Sequence, residues 1–165
     1  MEEAQPKTDL LYSPRQIEIA TVLAGPVAAI YMLVKNYNIL EQYEYSRNVK
    51  YIGSFLFVSL LVAFPYIPFD ISYTAIQASY LIFVWVILYK YHMTKAEISD
   101  SSALDFRSNW VVLLVTLLGF ITGLAITLIV GSLIIIAADV GLLPMTDNLI
   151  SILEEMSSED TVFWR

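Results

Sequence analysis

The stretch Trp110–Ala138, WVVLLVTLLGFITGLAITLIVGSLIIIAA, runs for 29 residues without a charge. As a helix it would be roughly 43 Å long at about 1.5 Å per residue, and the hydrocarbon core of a bilayer is about 30 Å thick. A helix of that length crosses with tilt or protrudes. Asp139 and Gly141 end it, and Pro144 prevents its continuation. Upstream, Tyr51–Tyr89 carries only one charge, Asp70. A helix over that stretch would reach roughly 58 Å, so it must turn once. The turn is written as Phe64-Pro65-Tyr66-Ile67-Pro68-Phe69-Asp70, where two prolines stop one helix and Asp70 can cap the next. A fourth apolar segment, Gln16–Val34, carries one acid, Glu18. Pro14 falls where that helix would begin, and Pro26 inside it predicts a kink. The expected fold is an all-α membrane protein with four transmembrane helices at about 16–34, 50–66, 70–90 and 110–138.

Composition agrees. Of 165 residues, 58% are apolar and 15% charged, against roughly 45–50% and 25% in soluble domains. A core this small cannot bury such an excess, because a domain of about 150 residues leaves roughly a third of its surface exposed. The surplus therefore points to lipid as the first partner. The chain divides into a leader (1–15), the four-helix domain (16–139) and an acidic C-terminal tail (140–165). From Asp139 onward there are six acids and one base. Within the tail, Leu149, Ile150, Leu153 and Met156 share a helical face behind Asp147, which predicts a short amphipathic helix. The first apolar segment follows Met1-Glu2-Glu3-Ala4 rather than a positive n-region, so it reads as a retained helix, not a cleaved signal.

Lys35, Arg47 and Lys50 follow the first span, and Lys90, Lys95 and Arg107 follow the third. Only Lys7 and Arg15 oppose them near a span. On four spans, this asymmetry predicts cytoplasmic long loops and both termini in the periplasm.

Candidate functional positions are few. Gly119, Gly123, Thr127 and Gly131 recur every four residues in the last span, and Ala20, Ala24 and Ala28 do so in the first. Such small-residue stripes let helix backbones approach closely, within the bundle or in a homo-oligomer or a complex with another membrane protein. Gln77 and Glu18 are the candidate polar intramembrane groups, with Asp70 in the turn. The chain has no cysteine and a single histidine, His92, which removes thiol chemistry and histidine-cluster metal sites. Ser72, Ser79 and Thr116 have no His or Lys partner within a span, and no phosphate-binding glycine loop is present. We therefore expect no catalytic residues, no cofactor and no metal. No basic tract suggests nucleic acid.

The opening Tyr12-Ser13-Pro14-Arg15-Gln16, followed by Ala20-Thr21-Val22-Leu23-Ala24-Gly25-Pro26-Val27-Ala28, resembles a family of small four-helix inner-membrane proteins of Gram-negative bacteria. In that family Y-S-P-x-Q leads to A-T-x-L-x-G-P. The stretch from Tyr91-His92-Met93-Thr94 to Asn109-Trp110 is similar too, and the likeness covers most of residues 12–138. The resemblance implies a bacterial inner membrane and carries no activity with it. The expected function is therefore non-enzymatic, through helix or tail contacts, as an accessory, scaffold or immunity-type factor. A small transporter or channel subunit is the alternative.

Overall fold

The computed structural model describes residues 9–67, 78, 80–82, 84–88, 95–101, 104–144, 146, 150–151 and 154. The chain is mostly helical. Helix α1 is Pro14–Ala24 and α2 is Pro26–Ile39. Helix α3 is Tyr43–Ala63, extended by a 3-10 turn at Phe64–Tyr66. The helical residues 78, 80–82 and 84–88 form α4, Lys95–Asp100 is α5, and Asn109–Asp139 is α6.

The first expected span does not form. Gly25 takes φ 69° and ψ −158°, a conformation open essentially to glycine alone, and interrupts the helix there. Pro26 is not a kink but the first residue of α2, where its missing N–H removes one donor that would have lacked a partner. Were α1 and α2 one continuous helix, Tyr12 and Asn36 would lie about 36 Å apart at 1.5 Å per residue. Instead the Tyr12 N–H donates to Asn36 Oδ1 at 2.9 Å, and Asn36 Nδ2 donates to the Tyr12 carbonyl at 2.7 Å. The chain therefore doubles back at Gly25 into a helical hairpin. Its arms, of 11 and 14 residues, are about 16 and 21 Å long, each short of the roughly 30 Å needed to cross.

This corrects the four-span expectation. Among the described residues, two helices are long and apolar enough to cross a membrane: α3 with its 3-10 extension, Tyr43–Tyr66, and α6, Asn109–Asp139. Only 6% and 17% of their most apolar stretches are buried, so both helices turn most of their apolar surface outward. Helix α3 begins at Tyr43, ahead of the expected start of the second span near 50, because Glu44, Arg47 and Lys50 continue the helix on its exposed side. Hydropathy marks where a helix enters lipid and says little about where it starts. The third span, expected at 70–90, is helical at the described positions of α4; its start lies outside the described residues. In the tail, residues 150, 151 and 154 are helical, and the rest of the expected amphipathic helix also lies outside them.

The fold is also not purely helical. Asp9–Leu11 (β1) pairs in parallel with Leu104–Phe106 (β2), with Leu10 opposite Asp105. The ladder ties the chain's beginning to the segment that launches α6. Thr146, by contrast, donates to the carbonyl of Pro65 at the end of α3. The segments flanking the helices therefore lie at opposite ends of α6.

Candidate functional site

The hairpin has a polar end and an apolar tip, and each is built by a recognisable stretch of sequence. At the polar end Ser13 caps α1: its hydroxyl accepts from the Gln16 N–H, and Gln16 Oε1 accepts from the Ser13 N–H. This reciprocal box satisfies two donors that a helix start leaves open. Gln16 also reaches sideways, its Nε2 donating to the Arg107 carbonyl at 3.0 Å and to Asn109 Oδ1 at 2.9 Å. The Arg107 N–H in turn donates to the Leu11 carbonyl at 2.9 Å. One glutamine thus fixes α1 both to its own cap and to the start of α6.

Asn36 closes the hairpin from the other arm. It is fully buried, as is the Tyr12 backbone that it clamps. An amide matches a peptide's donor and acceptor at once, which no apolar residue can do. Over the same Tyr12 ring lies the Arg107 guanidinium, 5.1 Å from the ring centroid, a cation–π distance. Burial pushes the Tyr12 hydroxyl above its ordinary value and the nearby Arg107 charge pulls it back by less, so the ring stays neutral. Arg107 Nε is buried and has no hydrogen-bond partner among the described residues.

Toward the tip the interface becomes small and apolar. Ala20, Ala24 and Ala28 are all buried. A Cβ on Gly119 would stand 2.8 Å from Ala28 Cβ and 3.1 Å from Ala28 Cα, so α6 meets the hairpin there with no room for a side chain. Gly123 is looser: its Cβ would lie 3.6 Å from Val27 Cγ2 and 3.9 Å from the Ala24 carbonyl. Further along, Thr127 is exposed and its hydroxyl donates to its own helix at Gly123, while Gly131 has nothing within 4 Å. The α6 stripe therefore divides, its first half against the hairpin and its second half beyond the tip. Glu18 is half-buried on α1, near the polar end. Gln77 lies outside the described residues.

A hairpin reaching only Gly119–Gly123, some 15–21 Å along α6 at 1.5 Å per residue, leaves space beneath it. A cavity of about 430 Å³ occupies that space, roofed by Thr21–Val27 and walled by Phe57 and Leu61 of α3, Tyr80 of α4, and Phe120 and Leu124 of α6. A second cavity, of about 500 Å³, lies between α2, α3 and α4, and Tyr80 borders both. Around the first cavity Thr21 and Thr127 bond carbonyls four residues back. No group of three His, Asp or Glu side chains capable of holding a metal occurs among the described residues. What the arrangement can do is pack, hold the hairpin shut and enclose something apolar.

Sequence reasoning missed Asn36, which stands just past the expected span; it took Gln16 as a span boundary, Arg107 as a loop charge, and Tyr12 and Asn109 as parts of a resembling motif. The available signal was a pair of polar groups flanking the break: Tyr12 lies 13 residues before Gly25 and Asn36 lies 10 after Pro26. No family model, curated protein or solved structure matches this chain.

Proposed function

We propose that the chain is a non-enzymatic protein of a bacterial inner membrane that crosses the bilayer three times, holds α1–α2 as a re-entrant hairpin, and acts by binding within the membrane. The observation that carries this is the buried Tyr12–Asn36 clamp, which closes a pair of helices each too short to cross. Charge supports the orientation. On three crossings with α1–α2 folded back, the sequence order would assign Lys7, Arg15, Lys35, Arg47, Lys50, Lys90, Lys95 and Arg107 to one side. The segments it would assign to the other side, 64–77 and 140–151, contain no Lys or Arg. The eight-to-none asymmetry, with Arg165 too remote to count, is stronger than on four crossings and favours a cytoplasmic N-terminus and a periplasmic tail. The resemblance of Tyr12–Ala28 to inner-membrane proteins of Gram-negative bacteria agrees with that setting.

The absence of native cysteine makes the test simple. Asp9→Cys and Glu41→Cys should react with a membrane-impermeant maleimide only after permeabilisation, and Leu142→Cys should react in intact spheroplasts. Labelling of Asp9→Cys and Leu142→Cys from the same side would restore four crossings and defeat the re-entrant reading.

The transporter reading retains one specific support, a helix break facing a cavity at mid-membrane depth, as in discontinuous transporter helices. The cavity walls are mostly apolar, however, which suits an apolar guest better than an ion or polar solute. Vesicles containing the purified protein should show no protein-dependent flux of protons, potassium or small polar solutes. Such a flux would shift the assignment to transport.

A further inference from the structure

We infer that the cavity beneath the hairpin tip is a lateral site for a single lipid acyl chain, an inference that rests on the membrane-embedded reading above. The hairpin stops partway along α6, so the bundle is filled at one end and hollow at the tip's level. The hollow is open at its rim. Val22, Leu23, Phe64, Phe120 and Leu124 border it and are each 44–61% exposed, so its lining continues into the lipid-facing surface.

Three occupants compete for such a space. Water needs two to four polar partners, and the lining is mostly apolar: its polar side chains are Thr21, Thr127 and Tyr80, and the two threonines spend their donors on backbone carbonyls. A helix from a second copy needs a gap about 10 Å wide, but α3 and α6, which both wall the cavity, are themselves in contact, and packed helices are only about 8–10 Å apart. An acyl chain needs an apolar space that opens sideways onto the lipid-facing surface, and the cavity, with its exposed apolar rim, offers one. Its volume, about 430 Å³, lies within the roughly 300–1,000 Å³ typical of ligand sites.

The test uses the full chain in lipid nanodiscs containing phosphatidylcholine with a diazirine at the middle of one acyl chain. After irradiation, adducts are mapped by mass spectrometry. The expected map concentrates on Phe57, Leu61, Phe120 and Leu124, above the level at the outward-facing Leu117 and Leu133. Thr127→Trp, which places a large side chain on the α6 wall of the cavity one turn past Gly123, should remove the excess and leave Leu117 and Leu133 unchanged. Leu61→Trp provides a second filling variant from α3 should the first fail to fold. A wild-type map with cavity and outward residues labelled alike overturns the inference, as does an excess that survives both fillings. Adducts at the exposed Ile19 but not in the cavity would refute the site alone. Their absence from the whole hairpin would refute its membrane embedding.

Discussion

Replacing Asn36 with leucine keeps the side chain's size and removes both of its hydrogen bonds to Tyr12. The Tyr12 N–H and carbonyl would then be left inside the structure, where Tyr12 is 1% exposed and Asn36 completely buried. Leaving a buried donor or acceptor unsatisfied costs about 1–3 kcal/mol, so two such groups predict a loss of roughly 2–6 kcal/mol. At about 1.4 kcal/mol per tenfold change, the folded-to-unfolded ratio should fall by at least tenfold. Reversible unfolding in mixed micelles with increasing SDS would measure it. Asn38→Leu is the control, because Asn38 lies on the same helix, is exposed and should change stability by no more than about 0.5 kcal/mol. The loss should also appear locally: Leu10→Cys should label faster in the Asn36→Leu background, since the clamp holds the segment that carries β1. Equal unfolding of Asn36→Leu and Asn38→Leu, with unchanged labelling, would show that the clamp does not hold the hairpin closed.

The other predictions test the tip and its seat. Gly119→Ala should destabilise by about 1–3 kcal/mol through overpacking on Ala28, whereas Gly131→Ala meets nothing within 4 Å and should be neutral or slightly stabilising; equal thermal melts in detergent would refute the contact. Gly25→Ala should cost about 1–3 kcal/mol from backbone strain alone, with open space around its Cβ, and a variant as stable as the parent would show that the turn is not held in this conformation. Gln16→Leu removes bonds to Ser13, Arg107 and Asn109 and should expose the 104–109 segment to limited proteolysis before α6 melts, whereas simultaneous loss of both would argue against a local tie.

The long apolar helices were legible because their signal is length. Twenty-nine uncharged residues at Trp110–Ala138 admit few soluble folds, and α6 spans 109–139, one residue beyond the expected range at each end. The first segment shows where that signal stops. Gln16–Val34 has the hydropathy of a span, but hydropathy averages over side chains and is blind to the direction of the chain. A half-depth hairpin and a full crossing can bury the same residues. They differ at one peptide unit, where Gly25 permits a conformation that alanine would resist, and in what must then stand opposite. A hairpin brings the far ends of its two arms together at the polar end, so it requires partners there. Tyr12 and Asn36 meet that requirement with a donor and an acceptor each.

The same geometry explains why the small-residue stripe could be read only in part. Spacing of four places Gly119, Gly123, Thr127 and Gly131 on one side of α6, but spacing cannot say how far a neighbouring helix extends. Because the hairpin ends near Gly123, the same helix face changes role along its length. At Gly119 an absent side chain admits the Ala28 backbone; beyond the tip, at Thr127, the face borders a cavity instead. A continuous first span would have covered the whole stripe and left nothing to fill. The cavity is thus a consequence of the turn at Gly25, and a variant that straightened α1–α2 into one helix should abolish the clamp and the cavity together.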